Sequence, residues 1–413
     1  MKIYGFDEKF LMLKNNEGLN IIYSTYLNKI FGLDNRGVDL FSKLITRLEA
    51  HDGDDCNVDS DMKELLRVLL LNEILFDSFD NYKKADFKNI YQNYRKFIPH
   101  KAYIHLTQRC NLNCTYCYDK DNIGKTRELT TKQWKEIIIS LKEHGFDYLV
   151  FTGGEIMLRN DISELVLFAN KNDFKVHLMT NSTIKIDSKI VEAAYHIDIS
   201  LDAIDEIENA KTRKNSKSFN ILNNIMSYED KYRKKITIKP VVSCENENLY
   251  ADFKEFFISQ GFHSVDPLPL QPTKRNEKCM YPTSYLQMSK HSFDAYFKIA
   301  KCNACYEVIA INSDGNIFPC QAMINDVYCL GNIFDSQWFE KIEKNKITKL
   351  FMDNDVTTDS HCVSCSYKYI CGGPCKAVCY NKTGDILSMD EDYCKYAKLE
   401  SKHYLETINF EER

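Results

Sequence analysis

The sequence has no apolar run approaching the ~18 residues that a membrane span requires. Its first residues, MKIYGFDEKF, lack the basic, apolar and small-residue succession of a secretory signal. Both absences lead us to expect a chain kept in a reducing cytoplasm. An excess of positive charge is also missing: the formal net charge is −5, so nothing draws the whole chain to nucleic acid or to an anionic membrane, and neither is expected as a partner. Compositional extremes are lacking too, since 44% apolar and 27% charged residues exclude wholesale disorder and fibrous repeats. Cysteine, by contrast, is abundant. Sixteen of them in 413 residues, most beyond residue 300, are too unevenly placed for a small disulfide-stapled fold. In a reducing compartment, clustered thiols read first as metal ligands.

A chain of this length supports two or three packed domains. Short β-type runs (Lys9 to Leu13, Leu19 to Tyr23, Lys29 to Leu33) precede amphipathic stretches at Arg36 to Leu48 and Asp59 to Leu71. With Glu73 to Phe76 as a candidate wing, residues 1–85 read as a winged-helix-like unit, and residues 86–100 as a linker. From 101 to 285 strand-like runs (Ala102 to Thr107, Tyr148 to Thr152, Lys175 to Thr180, His196 to Leu201, Ile236 to Val242, Ser264 to Leu270) alternate with helical ones. That alternation predicts an α/β fold with a parallel sheet, because parallel strands need crossovers and helices supply them. Six units fit a partial (β/α)6 barrel or an open wound sheet, with functional groups at the carboxyl ends of the strands. From 286 to 413 the rhythm fades and cysteines become dense, so metal clusters are expected to supply stability that a small core does not.

The strand Ala102 to Thr107 runs directly into a loop bearing Cys110, Cys114 and Cys117. Iron–sulfur clusters are normally held by four cysteine thiolates. Three local ligands leave one iron open, as catalytic metal sites keep an open position; zinc would need a second pair from distant cysteines. The loop resembles the signature of the radical S-adenosylmethionine (SAM) superfamily, C-x3-C-x-aromatic-C, with Tyr116 as the aromatic. Thr152-Gly153-Gly154-Glu155 is similar to that superfamily's Gly-Gly-Glu motif, which implies that the glycines admit the bound methionine amino group and that Glu155 accepts a hydrogen bond from it. The resemblance extends SAM contacts to Ser200 and Asp202, although Ala203 stands where relatives often have glycine. It gives Arg213 or Lys217 as the partner of the SAM carboxylate, with Lys211 to Lys217 as a solvated helix end or loop on the plain reading. It makes Asn181 a cavity-lining residue, a turn role being the alternative. The implied chemistry is one-electron cleavage of SAM to methionine and a 5′-deoxyadenosyl radical, which needs no general acid or base, and no catalytic side chain is named.

Cys305, Gly315 and Cys320, then Cys362-x2-Cys365-x5-Cys371-x3-Cys375 and later Cys394, resemble the seven-cysteine SPASM extension of peptide-modifying radical SAM enzymes. The resemblance implies two auxiliary [4Fe-4S] clusters. One takes Cys305, Cys320 and Cys375, with Cys302 as first choice for the fourth ligand and Cys279 in reserve; the other takes Cys362, Cys365, Cys371 and Cys394. If Cys302 does not ligate, an open iron remains for a peptide thiol. Zinc ribbons are the alternative. Cys56, Cys244, Cys329 and Cys379 read as buried structural thiols. The segment from Phe6 to Asp77 resembles the precursor-recognition domain of peptide maturases, implying that a leader peptide adds as a strand to an exposed sheet edge. Together these resemblances imply a maturase of a ribosomally made peptide that forms a cysteine thioether, served by an electron donor such as flavodoxin or ferredoxin. Carbon–carbon crosslinking, epimerisation, maturation of a protein or cofactor precursor, and a non-catalytic adaptor remain open.

Overall fold

The computed structural model describes residues 1–15, 18–55, 58–88, 96–124, 127–270 and 302–407. Near the N-terminus, β1 (Phe10–Lys14), β2 (Asn20–Ser24) and β3 (Lys29–Leu33) pair antiparallel in chain order. Apolar side chains leave this sheet on both faces. Phe10, Ile22 and Phe31 pack on Phe41, Leu44 and Leu48 of α1 (Asn35–Ala50) and on Met62 and Leu66 of α2 (Ser60–Leu71). Ile21, Tyr23 and Ile30 instead meet Ile370, Tyr404 and Leu405. Asp34 and Asp59 cap the two helices, accepting from Gly37 N at 2.6 Å and Met62 N at 2.9 Å. The expected wing does not form a strand. Ile74 and Leu75 turn into the helical core, and Phe76 makes a single bridge to Tyr4. After α3 (Phe79–Lys84), the end of the linker runs beside the C-terminal part: Ile98 N donates to Tyr306 O and His100 N to Glu307 O.

The expected parallel sheet is present. It contains β4 (Lys101–Thr107), β5 (Tyr148–Gly153), β6 (Lys175–Thr180), β7 (His196–Ser200) and β8 (Ile236–Lys239). The crossovers carry α4 (Thr131–Glu143), α5 (Ile162–Lys171), α6 (Ser188–Ala193), α7 (Glu206–Thr212) and α8 (Ile221–Met226). Pro240 has no N–H to donate to the ladder, so the run Ile236 to Val242 is split. β9 (Val241–Val242) leaves β8 and pairs with β11 (Leu268–Pro269), while β10 (Ser264–Val265), which follows α9 (Tyr250–Ser259), closes the edge beside β8. Ile104, Leu106, Phe151, Leu178, Ile197 and Ile199 point to the helices and are fully buried with Trp134 and Leu165. Alternate positions, among them Tyr103, His105, His177 and Asp198, lie on the other face of the sheet.

The boundary expected at residue 285 lies outside the described residues, and strands from beyond it join the same sheet. β12 (Val308–Ile311) pairs parallel with β4 from Val308↔Lys101 to Ile311↔Ile104, and β13 (Asn316–Phe318) and β14 (Gly331–Asn332) extend it antiparallel. The cysteine-rich part thereby covers an edge of unpaired backbone groups that β4 would otherwise present. It continues in α10 (Trp338–Lys344), α11 (Lys346–Asp353), α12 (Lys368–Cys371), α13 (Lys376–Thr383) and α14 (Glu391–Glu406). Among the described residues no helix is long and apolar enough to cross a membrane.

Candidate functional site

The loop carrying Cys110, Cys114 and Cys117 leaves the carboxyl end of β4, where the sheet order places functional groups. Its backbone is held on two sides. Gly154 N donates to Thr107 O at 2.8 Å and Glu155 N to Arg109 O at 2.7 Å, while Asn113 N and Thr115 N donate to Lys214 O and Thr212 O at 3.0 and 2.9 Å. Glycine is required by this contact. A Cβ on Gly153 would lie 2.3 Å from Thr107 O, and one on Gly154 would lie 2.0 Å from Arg109 O; Gly153 also has φ +125°. In this structure the two glycines admit the cysteine loop itself.

Glu155 is fully buried and bound to protein donors. It accepts from Thr180 Oγ at 2.7 Å, Asn181 N at 2.7 Å and Met157 N at 3.0 Å. Burial pushes its carboxyl up, against those hydrogen bonds. Asn181 donates from Nδ2 to Asn111 Oδ1 at 3.0 Å, so it ties the end of β6 to the cysteine loop. Asp202 is a hub. Tyr116 and Thr212 donate to Oδ2 at 2.5 and 2.6 Å, Val241 N donates to Oδ1 at 3.0 Å, and Arg213 Nε lies 3.2 Å from Oδ1. The Arg213 guanidinium stands 5.7 Å from the Tyr116 ring centroid. Burial opposes its charge, but Asp202 beside it holds it firmly protonated. Lys217 is exposed, whereas Arg213 is buried. Ser200 is partly exposed at the end of β7, in register with Lys239.

The three loop cysteines are free and partly exposed, and each of Cys110 and Cys117 lies within electrostatic reach of Cys114. Burial raises all three thiols, Cys117 to about 11, and Arg213 works against that rise at Cys114. Further along the chain the cysteines fall into the two expected groups. Cys302, Cys305, Cys320 and Cys375 form one, with Cys320 feeling the other three. Cys365, Cys371 and Cys394 all act on Cys362 in the other, around a cavity of about 30 Å³. A single zinc ion with bonds of ~2.3 Å would hold its sulfurs about 3.8 Å apart. Among the described residues no three cysteine sulfurs come within 4.8 Å of one another. The donor sets thus suit larger inorganic cores, with thiols that metal coordination would deprotonate.

Cys56 and Cys279 lie outside the described residues. Cys379 is a fully buried thiol as expected, and Cys329 is partly exposed. Cys244 departs from expectation: it is exposed and disulfide-bonded. Sequence reasoning missed Thr180, Asn111 and Thr183, which complete the polar seam between β6 and the cysteine loop. Asn111 lies inside the cysteine signature and could have been singled out there.

Comparison with known proteins matches residues 104–248 to the radical SAM superfamily and residues 302–366 to SPASM, an iron–sulfur cluster-binding domain. These domains imply [4Fe-4S] clusters and SAM as cofactors. The chain is 26% identical to the mycofactocin maturase MftC of Mycolicibacterium smegmatis over 66% of this chain and 76% of that protein. It is 23% identical to AlbA, the antilisterial bacteriocin subtilosin biosynthesis protein of Bacillus subtilis, over 69% and 68%. Its fold matches the crystal structure of Streptococcus suis SuiB bound to precursor peptide SuiA, with a TM-score of 0.60 and 16% identity, over 95% of this chain and 99% of that one.

Proposed function

From a chain that carries a radical SAM domain followed by a SPASM domain, we propose a maturase that modifies a ribosomally made precursor peptide and forms a thioether between a cysteine sulfur and a peptide carbon. The observation that carries this reading is the cysteine loop at the carboxyl end of β4, clamped by Gly153 and Gly154 and backed by two further cysteine groups. When bound at Cys110, Cys114 and Cys117, a [4Fe-4S] cluster would supply the electron that cleaves SAM to a hydrogen-abstracting 5′-deoxyadenosyl radical. The chain's own residues position that site. Glu155 and Asn181 fix the loop against β6, and Asp202 fixes Tyr116 and Arg213 beside Cys114. Cys302, Cys305, Cys320 and Cys375 would hold one auxiliary cluster, and Cys362, Cys365, Cys371 and Cys394 the other.

We assign residues 1–85 to recognition of the leader peptide, 101–285 to the partial barrel and 286–413 to the auxiliary clusters. Relatives named as a mycofactocin maturase and a bacteriocin biosynthesis protein, and a fold shared with a protein bound to its precursor peptide, support the substrate class. The test is anaerobic incubation of the full chain with SAM, a strong reductant and a cysteine-containing peptide encoded beside its gene. A loss of two hydrogens per event, with 5′-deoxyadenosine formed and the peptide thiol blocked, is the expected result. Deuterium uptake without a change in hydrogen count would replace the thioether with epimerisation.

A further inference from the structure

On the inner face of the parallel sheet, away from the cysteine loop, three potential metal ligands meet. His177 is the third residue of β6, and His196 and Asp198 are the first and third of β7; His177 is in register with His196. Their neighbours Val176, Leu178, Ile197 and Ile199 belong to the helix-packed core, so the triad points the opposite way. His177 Nε2 lies 3.0 Å from Asp198 Oδ2, and His196 Nε2 lies 3.1 Å from Asp198 Oδ1. One ligand atom from each residue falls within 4.8 Å of the others. The cysteine loop leaves the carboxyl ends of the strands, so the triad stands toward their amino-terminal ends.

We propose that His177, His196 and Asp198 form a binding site for one first-row divalent cation of the zinc class, held by two imidazole nitrogens and one carboxylate oxygen. Two imidazoles and a carboxylate are a ligand set that such ions accept, with water completing the coordination. Two ligand atoms sharing a tetrahedral ion at ~2.0 Å stand about 3.3 Å apart; the two imidazoles now face different oxygens of Asp198, so a shared ion draws the three ligand atoms together from within a spread of 4.8 Å. The surroundings fit a neutral imidazole. Tyr148 Oη lies 3.4 Å from His177 Nδ1. With the ion on Nε2, the ring proton moves to Nδ1 and is donated to the Tyr148 oxygen, so His177 neither gains nor loses a proton. Ligating imidazoles commonly donate their second ring N–H to an oxygen acceptor, the place that the Tyr148 hydroxyl takes here.

Two lysine cations stand near the triad. Lys239 Nζ is 3.9 Å from Asp198 Oδ2, but its closer partner is Asp266. Lys101 is directed onto the Tyr148 ring, 4.8 Å from its centroid. A dication adds two positive charges beside Lys101 and Lys239, so both imidazoles must bind it neutral and Asp198 must bind it ionised. Burial indeed lowers the His177 pKa, against the pull of Asp198. His196 is about one-third exposed, which gives the ion a way in.

The probe is zinc chloride added to the anaerobically purified full chain, followed by removal of free metal, elemental analysis and zinc-edge X-ray absorption. We expect about one zinc per chain with a nitrogen and oxygen shell near ~2.0 Å and no sulfur near ~2.3 Å. His196→Gln, at a partly exposed position, should reduce retained zinc at least about tenfold with far-UV circular dichroism and cluster absorption unchanged. Asp198→Asn, close to isosteric, should do the same. No zinc uptake above that of His196→Gln, or a sulfur-ligated zinc that both variants retain, would overturn the site. Neither outcome bears on SAM cleavage, which is read separately by 5′-deoxyadenosine formation.

Discussion

Gly154 has no space for even a methyl group, because a Cβ there would sit 2.0 Å from Arg109 O and 2.6 Å from its carbonyl carbon. Backbone cannot swing aside as a side chain tip can, so Gly154→Ala must push the cysteine loop off the end of β5. We expect this variant to lose about four irons per chain and the formation of 5′-deoxyadenosine, while the two C-terminal cysteine groups keep theirs; iron analysis with Mössbauer spectroscopy reads both. Arg213 and Lys217 give a second contrast. Removing Arg213 by Arg213→Met strands the buried Asp202 carboxylate, which costs about 3–5 kcal/mol, whereas Lys217→Met at an exposed position should stay within about 0.5 kcal/mol. Denaturant unfolding of the two variants tests the difference. The cysteine signature was legible because its three thiols are local in sequence. The Asp202 hub was not: Tyr116 reaches it across 86 residues, and only folding reveals that partnership.

Among the elements, α4 forms where the strand–helix alternation calls for a crossover helix, and a Thr130/Gln133 capping box fixes its start. β12 escaped notice. Its run Val308 to Ile311 is short and lies among cysteines, and it earns a strand assignment only from the open edge of β4. The cysteine-rich elements also set a pH dependence. Burial lifts the Cys305 and Cys362 thiols to about 12, whereas an unfolded thiol titrates near ~8.5. Between those values the folded apo-chain holds protons that the unfolded chain releases, so folded stability falls as pH rises through that window. The two thiols together contribute at most ~3 kcal/mol per pH unit to this decline. Coordination removes those protons, so the cluster-loaded chain should lack the effect. Thermal unfolding of apo and loaded protein at pH 8 and pH 10 compares them, and equal shifts for both would contradict the assignment of these thiols as ligands.

At the scale of the whole molecule, the two ends of the chain meet. The β-type runs of the N-terminal unit were legible one by one, yet their alternation carries apolar residues on both faces, and sequence alone does not say what covers the second. The structure supplies Ile370, Tyr404 and Leu405, so the N-terminal sheet rests on α12 and α14 of the cysteine-rich part. On the proposed reading of this unit as the leader-binding part, it is useful only if it holds the peptide's remainder at a fixed distance from the radical source, because positioning governs which carbon is attacked. Leu405 is fully buried at this contact. Leu405→Asp places an unpaired charge there and should cost about 3 kcal/mol or more of the contact. The N-terminal unit has its own core between β1–β3 and α1–α2, so it should remain folded while detaching. Protease cleavage between residues 86 and 100 should then accelerate. Peptide modification should fall at least about tenfold, as expected when a tethered binding module loses its fixed geometry, with 5′-deoxyadenosine formation in the absence of peptide unchanged. Equal loss of both activities would mean that the contact supports the clusters rather than the delivery of substrate.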